Sequence, residues 1–432
     1  MKYGKVSRWF LISAMGLLLA GCLGSSGGSG TKGSLRVLNV SPGYESIDLL
    51  VNDGTTDSDT TLQSGVARNT VSEYAALKAN SYTVKFRRNG ASAALLSTTK
   101  KLAEDEHVTF VTYGETGNFG VVALGDDRAA PSSGKAKLDV VGAFASGSVS
   151  VYFTNETDAL SDVSPAFSLS AHSTSTDGTI DSGTYRVRVT TSGDTSSILL
   201  DVSGVTLDSK QVATLLLTDS SSGVLVNAIL LSQRGTATLY SNGKARIRGA
   251  VGIANGTTLT ASVGGTRILT SAASGTIGSA YVPVMAGMPA LGVGVDGVQV
   301  SVSSPTLAAG TDYTLLFWSD ASGLRTTLIT DDNHVSRSGN AKVRLLNGMS
   351  GLGGPITLLV DYSPIAESIG VGEISGATEL SAGTDYQLDV TNSQTTASLL
   401  SRASVSLSAS SNYTMFLAGT AGAASGVLRK DR

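Results

Sequence analysis

The sequence predicts an all-β protein: four tandem sandwich domains behind a short leader and a flexible tether. Three observations predict it. Segments such as Tyr185-Arg186-Val187-Arg188-Val189 alternate apolar and polar residues, the period of a strand with one buried face. Gly-, Asn- and Ser-rich turns punctuate such segments about every 8–12 residues, the rhythm of a sandwich. The chain also repeats itself about every 100 residues, a domain length rather than a solenoid period. No amphipathic helix reads out after the leader.

Residues 1–21 have the parts of a secretory leader. Lys2, Lys5 and Arg8 form a basic start, and Trp9 to Ala20 is an apolar run too short to span a bilayer core. It ends at Leu19-Ala20-Gly21-Cys22, and Cys22 is the only cysteine of the chain. This stretch resembles the lipobox of bacterial lipoproteins, which implies that Cys22 is acylated and becomes the first residue of the mature protein. Each buried methylene of an acyl chain contributes about 0.8 kcal/mol to membrane attachment, so several chains hold firmly. Leu23 stands where inner-membrane lipoproteins carry an Asp, which points to the outer membrane. Residues 22–33 then read as a lipidated Cys and a Gly/Ser tether, with little apolar surface to bury.

The repeats follow. Each opens with a strand that carries a basic residue: Leu35-Arg36-Val37, Ala136-Lys137-Leu138, Ile247-Arg248 and Val343-Arg344-Leu345. Each closes with an apolar strand: His107 to Tyr113, Gln211 to Leu217, Asp312 to Trp318 and Asn412 to Leu417. Between them Tyr82, Tyr185 and Tyr386 recur just after a turn, with Val84, Val187 and Leu388 on the same face. The expected domains are 34–128, 134–235, 243–332 and 340–432, with joints near Asp126-Asp127, Arg234-Gly235 and Asp331-Asp332-Asn333. At this size each repeat is expected to bury its own core and fold alone.

Asn39-Val40-Ser41-Pro42-Gly43, then Ile47-Asp48 to Asp53-Gly54, then the strand Leu77 to Phe86, resembles the bacterial domain of unknown function 4397. The likeness is fullest in repeat 1. It is partial in repeat 4, where Leu345-Leu346-Asn347-Gly348 and Leu358-Leu359-Val360-Asp361 stand in without the Ser-Pro. Repeats 2 and 3 keep the strand rhythm. The resemblance implies immunoglobulin-like sandwiches on exported bacterial proteins, and it implies no activity.

Removing the leader lowers Lys plus Arg from 31 to 28 against 34 acids, a net charge of −6. A mildly acidic chain argues against nucleic acid and against electrostatic adhesion to anionic lipid. With Cys22 acylated, no disulfide forms within the chain, so packing alone must hold each domain. His107, His172 and His334 fall in different parts of the array, with no ligand spacing for zinc and no nucleophile elbow. No catalytic residue, cofactor or metal is expected, and Cys22 is the one assigned site.

Two weaker constellations remain. Asp53, Asp57 and Asp59 share a loop, while Asp126, Asp127, Asp331, Asp332 and Asn333 sit at joints; such oxygens could hold Ca²⁺, though Asp also favours turns by capping its own backbone, the preferred reading. Tyr313, Phe317 and Trp318 could stack on a glycan, but alternation places Tyr313 and Phe317 in the core and Trp318 on the other face. The expected role is an outer-membrane-anchored structural or adhesive array whose protein or glycan ligand is unspecified. The alternative is an accessory docking subunit of an envelope or secretion complex.

Overall fold

The computed structural model describes residues 32–221 and 223–432. The leader, Cys22 and the tether up to residue 31 lie outside the described residues. Lys32 and Gly33 belong to the first strand, where they pair with Lys78 and Leu77, so the folded part begins two residues earlier than the composition suggests. Among the described residues the one helical piece is the single 3₁₀ turn Leu160–Asp162.

Four units share one plan. In repeat 1 its main strands are Lys32–Asn39, Ser46–Asn52, Thr60–Ala67, Ala75–Lys78, Asn80–Arg88, Ala94–Leu102, His107–Tyr113 and Gly120–Gly125. The first, fourth, seventh and eighth make one sheet, and the second, third, fifth and sixth make the other. The first and seventh strands run parallel in every repeat, as Arg36 beside Thr109, Asp139 beside Thr214, Arg248 beside Thr314 and Arg344 beside Thr414. This order refines the immunoglobulin-like expectation: the chain forms all-β sandwiches, but of two layers of four or five strands each rather than the three-plus-four arrangement of an antibody constant domain.

Each sandwich encloses its own core; in repeat 1 it is built on Leu35, Val37, Leu49, Val84, Phe86 and Phe110. Alternation does not account for the rest. The seventh strand of repeat 2, Val212–Asp219, is buried at every position. A strand buried on both faces reads as a continuous apolar run because both sides are covered. The cover is the neighbouring repeat. Leu38, Val111 and Leu124 of repeat 1 pack against Val141, Leu216 and Ile229 of repeat 2. Ala250, Leu316 and Ile329 of repeat 3 pack against Leu346, Phe416 and Ala418 of repeat 4. The array is therefore two back-to-back pairs, each four layers thick. Repeats 3 and 4 approach so closely that a Cβ at Gly252 would fall 2.3 Å from the Gly348 carbonyl oxygen.

Two expectations change. Arg234-Gly235 is a hairpin turn, not a joint. The strand Ala237–Tyr240 pairs back onto Val226–Ser232, so repeat 2 runs to residue 240. A fragment of residues 134–235 would lose that strand and, without repeat 1, bare Val141, Leu216 and Ile229. The second change concerns the recurrent tyrosines. Their hydroxyls donate to nearby backbone, Tyr82 to Lys78 O, Tyr185 to Asp181 O and Tyr386 to Ser381 O. Tyr82 is buried, but Tyr185 and Tyr386 are half-buried. In both of these a register shift lies immediately after the tyrosine, between Tyr185 and Val187 and between Tyr386 and Leu388, and none lies there after Tyr82. Such a bulge re-aims the ring.

Candidate functional site at the junction of the repeats

Each sandwich turns an ionic face toward its partner. The first strand supplies a cation, the seventh a threonine beside it, and the residue after or at the end of the eighth an acid. In repeats 3 and 4 the acids are exchanged. Arg248 of repeat 3 donates through Nη1 to Asp431 of repeat 4 at 2.5 Å, and Arg344 of repeat 4 donates through Nη2 to Asp331 of repeat 3 at 2.6 Å. Thr314 and Thr414 each receive the Nε–H of their own arginine and donate on to Asp331 and Asp431. Tyr281 donates to Asp331, and its ring lies 4.5 Å from the Arg248 guanidinium. The exchange is reciprocal, as in a twofold interface.

Repeat 1 has the same set, with Arg36, Thr109, Asp126 and Tyr74. Repeat 2 inverts it. Asp139 occupies the cation position, Gln233 occupies the acid position, and Arg128 from the joint fills the gap. Arg128 donates to Asp139 and Thr214, while Gln233 holds its backbone N–H and carbonyl. Arg36 then reaches across to Gly235 O of repeat 2 at 2.6 Å.

These contacts locate the acidic residues read from the sequence. Asp126 and Asp331 are arginine, threonine and tyrosine partners. Asp127 accepts from His107 N and pairs with Arg234. Asp332 pairs with Lys342 and His334, and Asn333 donates to Asp312. Asp53 caps Thr55, Asp59 pairs with Lys85, and Asp57 is exposed. The joint carboxylates thus face protein donors. Tyr313 and Phe317 lie in the repeat 3 core, whereas Trp318 packs at the repeat 3–repeat 4 face and covers Gly372.

The two pairs meet at a second polar cluster. His334, in the joint between repeats 3 and 4, lies 3.2 Å from Glu115 of repeat 1 and 2.7 Å from Asp332. Arg432 donates to Asn333 O, to Gly223 O and, at 3.0 Å, to Ser146 Oγ of repeat 2. Ser220 of repeat 2 donates to Gly310 O of repeat 3. Beside this cluster is a cavity of about 380 Å³, a size that holds small ligands, bordered by Tyr113, Glu115, Asn118, His172, Ser338 and Ser410. The Tyr113 and His172 rings stack at 5.0 Å, with repeat 1 on one side and repeat 2 on the other. Neither Glu115 nor Arg432 stood out in the sequence, because their partners lie about 100 to 290 residues away.

The junction titrates. Burial pushes Asp219 up to about 6, opposed by the Ala145 amide and by Arg432. Burial lowers His334, but the bond to Asp332 and the charges of Glu115 and Asp219 outweigh it and leave the ring raised. Burial raises Asp332, and the His334 and Lys342 partners overcome it and hold the carboxyl below its usual range. A raised folded value means stability that is present at low pH and lost as pH rises through it. This holds for both Asp219 and His334. Asp332 has the opposite sign and loses its contribution only below about pH 4. The junction is therefore expected to be firmer at pH 5 than at pH 8, by on the order of 1–1.5 kcal/mol from Asp219, the rest of its effect being lost already between pH 4 and pH 5. Asp219→Asn should remove most of that difference in thermal unfolding; an unaltered wild type between the two pH values would contradict this.

The family model for a domain of unknown function (DUF4397) matches residues 33–152 and 245–353, just over half of the chain. The first match spans repeat 1 and continues into the second strand of repeat 2; the second spans repeat 3 and ends just after the first strand of repeat 4. The likeness therefore runs through repeat 3, where the sequence showed only strand rhythm. A search of curated proteins returned no match. The buried asparagines of the motif hold the turn after the first strand: Asn39 donates to Tyr44 O and Val66 O, and Asn347 donates to Ile369 O.

Proposed function

This chain belongs to the domain of unknown function 4397 family, and we propose that it is a lipid-anchored envelope protein whose paired sandwiches form a rigid, non-catalytic scaffold or adhesive array at the outer membrane. The observation that carries the reading is the exchange of buried ion pairs between repeats. Sandwiches that share sheet faces and buried charges cannot bend independently, so the array keeps a fixed geometry. The leader, Cys22 and the short Gly/Ser tether supply the anchor in this reading.

Cys22→Ala is expected to leave the array folded and to move it from the membrane fraction to the soluble fraction. Wild-type membrane retention after leader cleavage would refute the anchor. Protease shaving of intact cells distinguishes a surface-facing array, which is cut or released, from a periplasmic one. The docking-subunit alternative is favoured by one feature, the exposed apolar side chains Met285, Met288 and Val298 on repeat 3.

A further inference from the structure

Repeat 1 is open along one lateral edge. We propose that this edge binds an extended segment of a partner protein as an added antiparallel strand beside Gly120–Gly125, with an aromatic side chain of the segment seated over Phe110.

The precedent lies in the same chain. The eighth strand of repeat 2, Val226–Ser232, is not an edge, because Ala237–Tyr240 pairs with it antiparallel. Tyr240 stands opposite Ala228 and packs on the repeat 2 core, while Ala237 stands opposite Leu231 and packs on the face shared with repeat 1. The register transfers residue by residue. Leu35 lies beside Val108, which faces Gly125; Leu138 lies beside Ala213, which faces Ser232. Val121, Ala123 and Leu124 of repeat 1 therefore correspond to Ala228, Leu230 and Leu231. In repeat 1 the strand Gly120–Gly125 ends its sheet, and no described strand pairs with its outer side.

The sandwich also gapes there. Leu96, Thr98 and Lys100 on one wall, Val121 and Ala123 on the other, and Phe110 at the base border a groove of about 390 Å³. Repeats 2 and 4 are bridged at this place. Asn242 donates to Leu199 O on the sixth strand and Val226 O on the eighth, and Arg402 on the sixth strand donates to Gly426 O on the eighth. Among the described residues no hydrogen bond joins Ala94–Leu102 to Gly120–Gly125.

The occupant follows from this geometry. An edge strand offers unpaired N–H and C=O groups, which give affinity for any extended backbone, and alternate pockets give selectivity. Residues opposite Val121 and Ala123 would enter the groove, where the first corresponds to Tyr240. Residues opposite Val122 and Leu124 would continue an interface that already exists, since those two side chains pack on repeat 2. The partner segment is thus an uncharged strand of four or more residues with an aromatic side chain at the Val121 position.

The probe is a fluorescein-labelled peptide with the sequence of residues 235–242, titrated with the full mature chain. Saturable binding is expected. It should weaken at least about tenfold when the peptide's tyrosine is replaced by alanine, and equally when Ala123→Trp fills the groove. Ala123 is exposed, and an unchanged melt of that variant checks its fold; Leu96→Trp fills the groove from the other wall. Absence of binding at about 1 mM peptide overturns the proposal. So does binding that both variants leave intact, which would mean exchange with the strand of repeat 2. A dimer of the chain abolished by Ala123→Trp would seat a second copy there and overturn the partner-peptide reading.

Discussion

Asp431→Ala is expected to destabilise the repeat 3–repeat 4 pair by about 3–5 kcal/mol, the cost of removing one partner from a buried ion pair. Asp431 accepts from Arg248 at 2.5 Å, from Arg344 at 3.2 Å and from Thr414 at 2.5 Å. Both side chains of the Arg248–Asp431 pair are 1% exposed. Arg344 would keep Asp331, but Arg248 would be left without a direct carboxylate partner, out of reach of water. Burial disfavours its charge, and the Asp431 field is the main influence that offsets this. Replacing the pair together, with Arg248→Met and Asp431→Leu, should recover most of the loss, because an apolar pair of similar volume has no charge to desolvate. The half-exposed Asp127–Arg234 pair is the control, and Asp127→Ala should cost no more than about 1 kcal/mol. Urea unfolding read by tryptophan fluorescence is well placed for this. Trp318, at the face between repeats 3 and 4, is the one tryptophan of residues 32–432, so a chain that begins at residue 32 reports on this face alone. A loss below about 1 kcal/mol for Asp431→Ala would mean that water reaches Arg248.

The components of this face were legible in the sequence one at a time. Arg36, Arg248 and Arg344 marked the opening strands, and Asp126 and Asp331 marked the ends of repeats. What alternation cannot encode is which face of a sheet is covered, and by what. A half-buried strand shows a period of two, and that period placed the tyrosine strands of repeats 1, 2 and 4. A strand buried on both sides shows no period, and Val-Ala-Thr-Leu-Leu-Leu in repeat 2 was the available sign that a second layer covers it. The exchange of Asp331 and Asp431 depends on a crossing between repeats about 100 residues apart, a distance no local pattern spans. Repeat 2 hid its place in the plan further by reversing the signs, with Asp139 where the others carry arginine. The edge strand Ala237–Tyr240 was missed for a simpler reason. Gly235 after Arg234 looks like a linker, and a tight hairpin turn uses the same residues.

Tyr82→Ala is the second large effect, expected to cost repeat 1 about 3–5 kcal/mol, as deletions of buried aromatic side chains do. The ring is 6% exposed and packs in the core that contains Val84 and Phe86. Its hydroxyl donates to Lys78 O at 2.9 Å, so Tyr82→Phe should cost about 1 kcal/mol, the value of one hydrogen bond. Tyr185→Ala provides the internal comparison. That residue makes the same bond, to Asp181 O at 2.7 Å, and its ring meets Phe153 edge-on at 5.6 Å. It lies before a bulge and stays half in solvent, so less apolar area is lost and the cost should fall to about 1–3 kcal/mol. Repeat 3 shows that the ring is not needed for the topology: Pro289 stands two residues before Leu291, which pairs with Val263 as Val84 pairs with Val51. The tyrosine is therefore a stability device within a fold set by the strand pattern. Urea unfolding of the full chain, followed by amide hydrogen exchange resolved on repeats 1 and 2, separates the two sites. Equal losses for Tyr82→Ala and Tyr185→Ala would show that the bulge does not control burial of the ring.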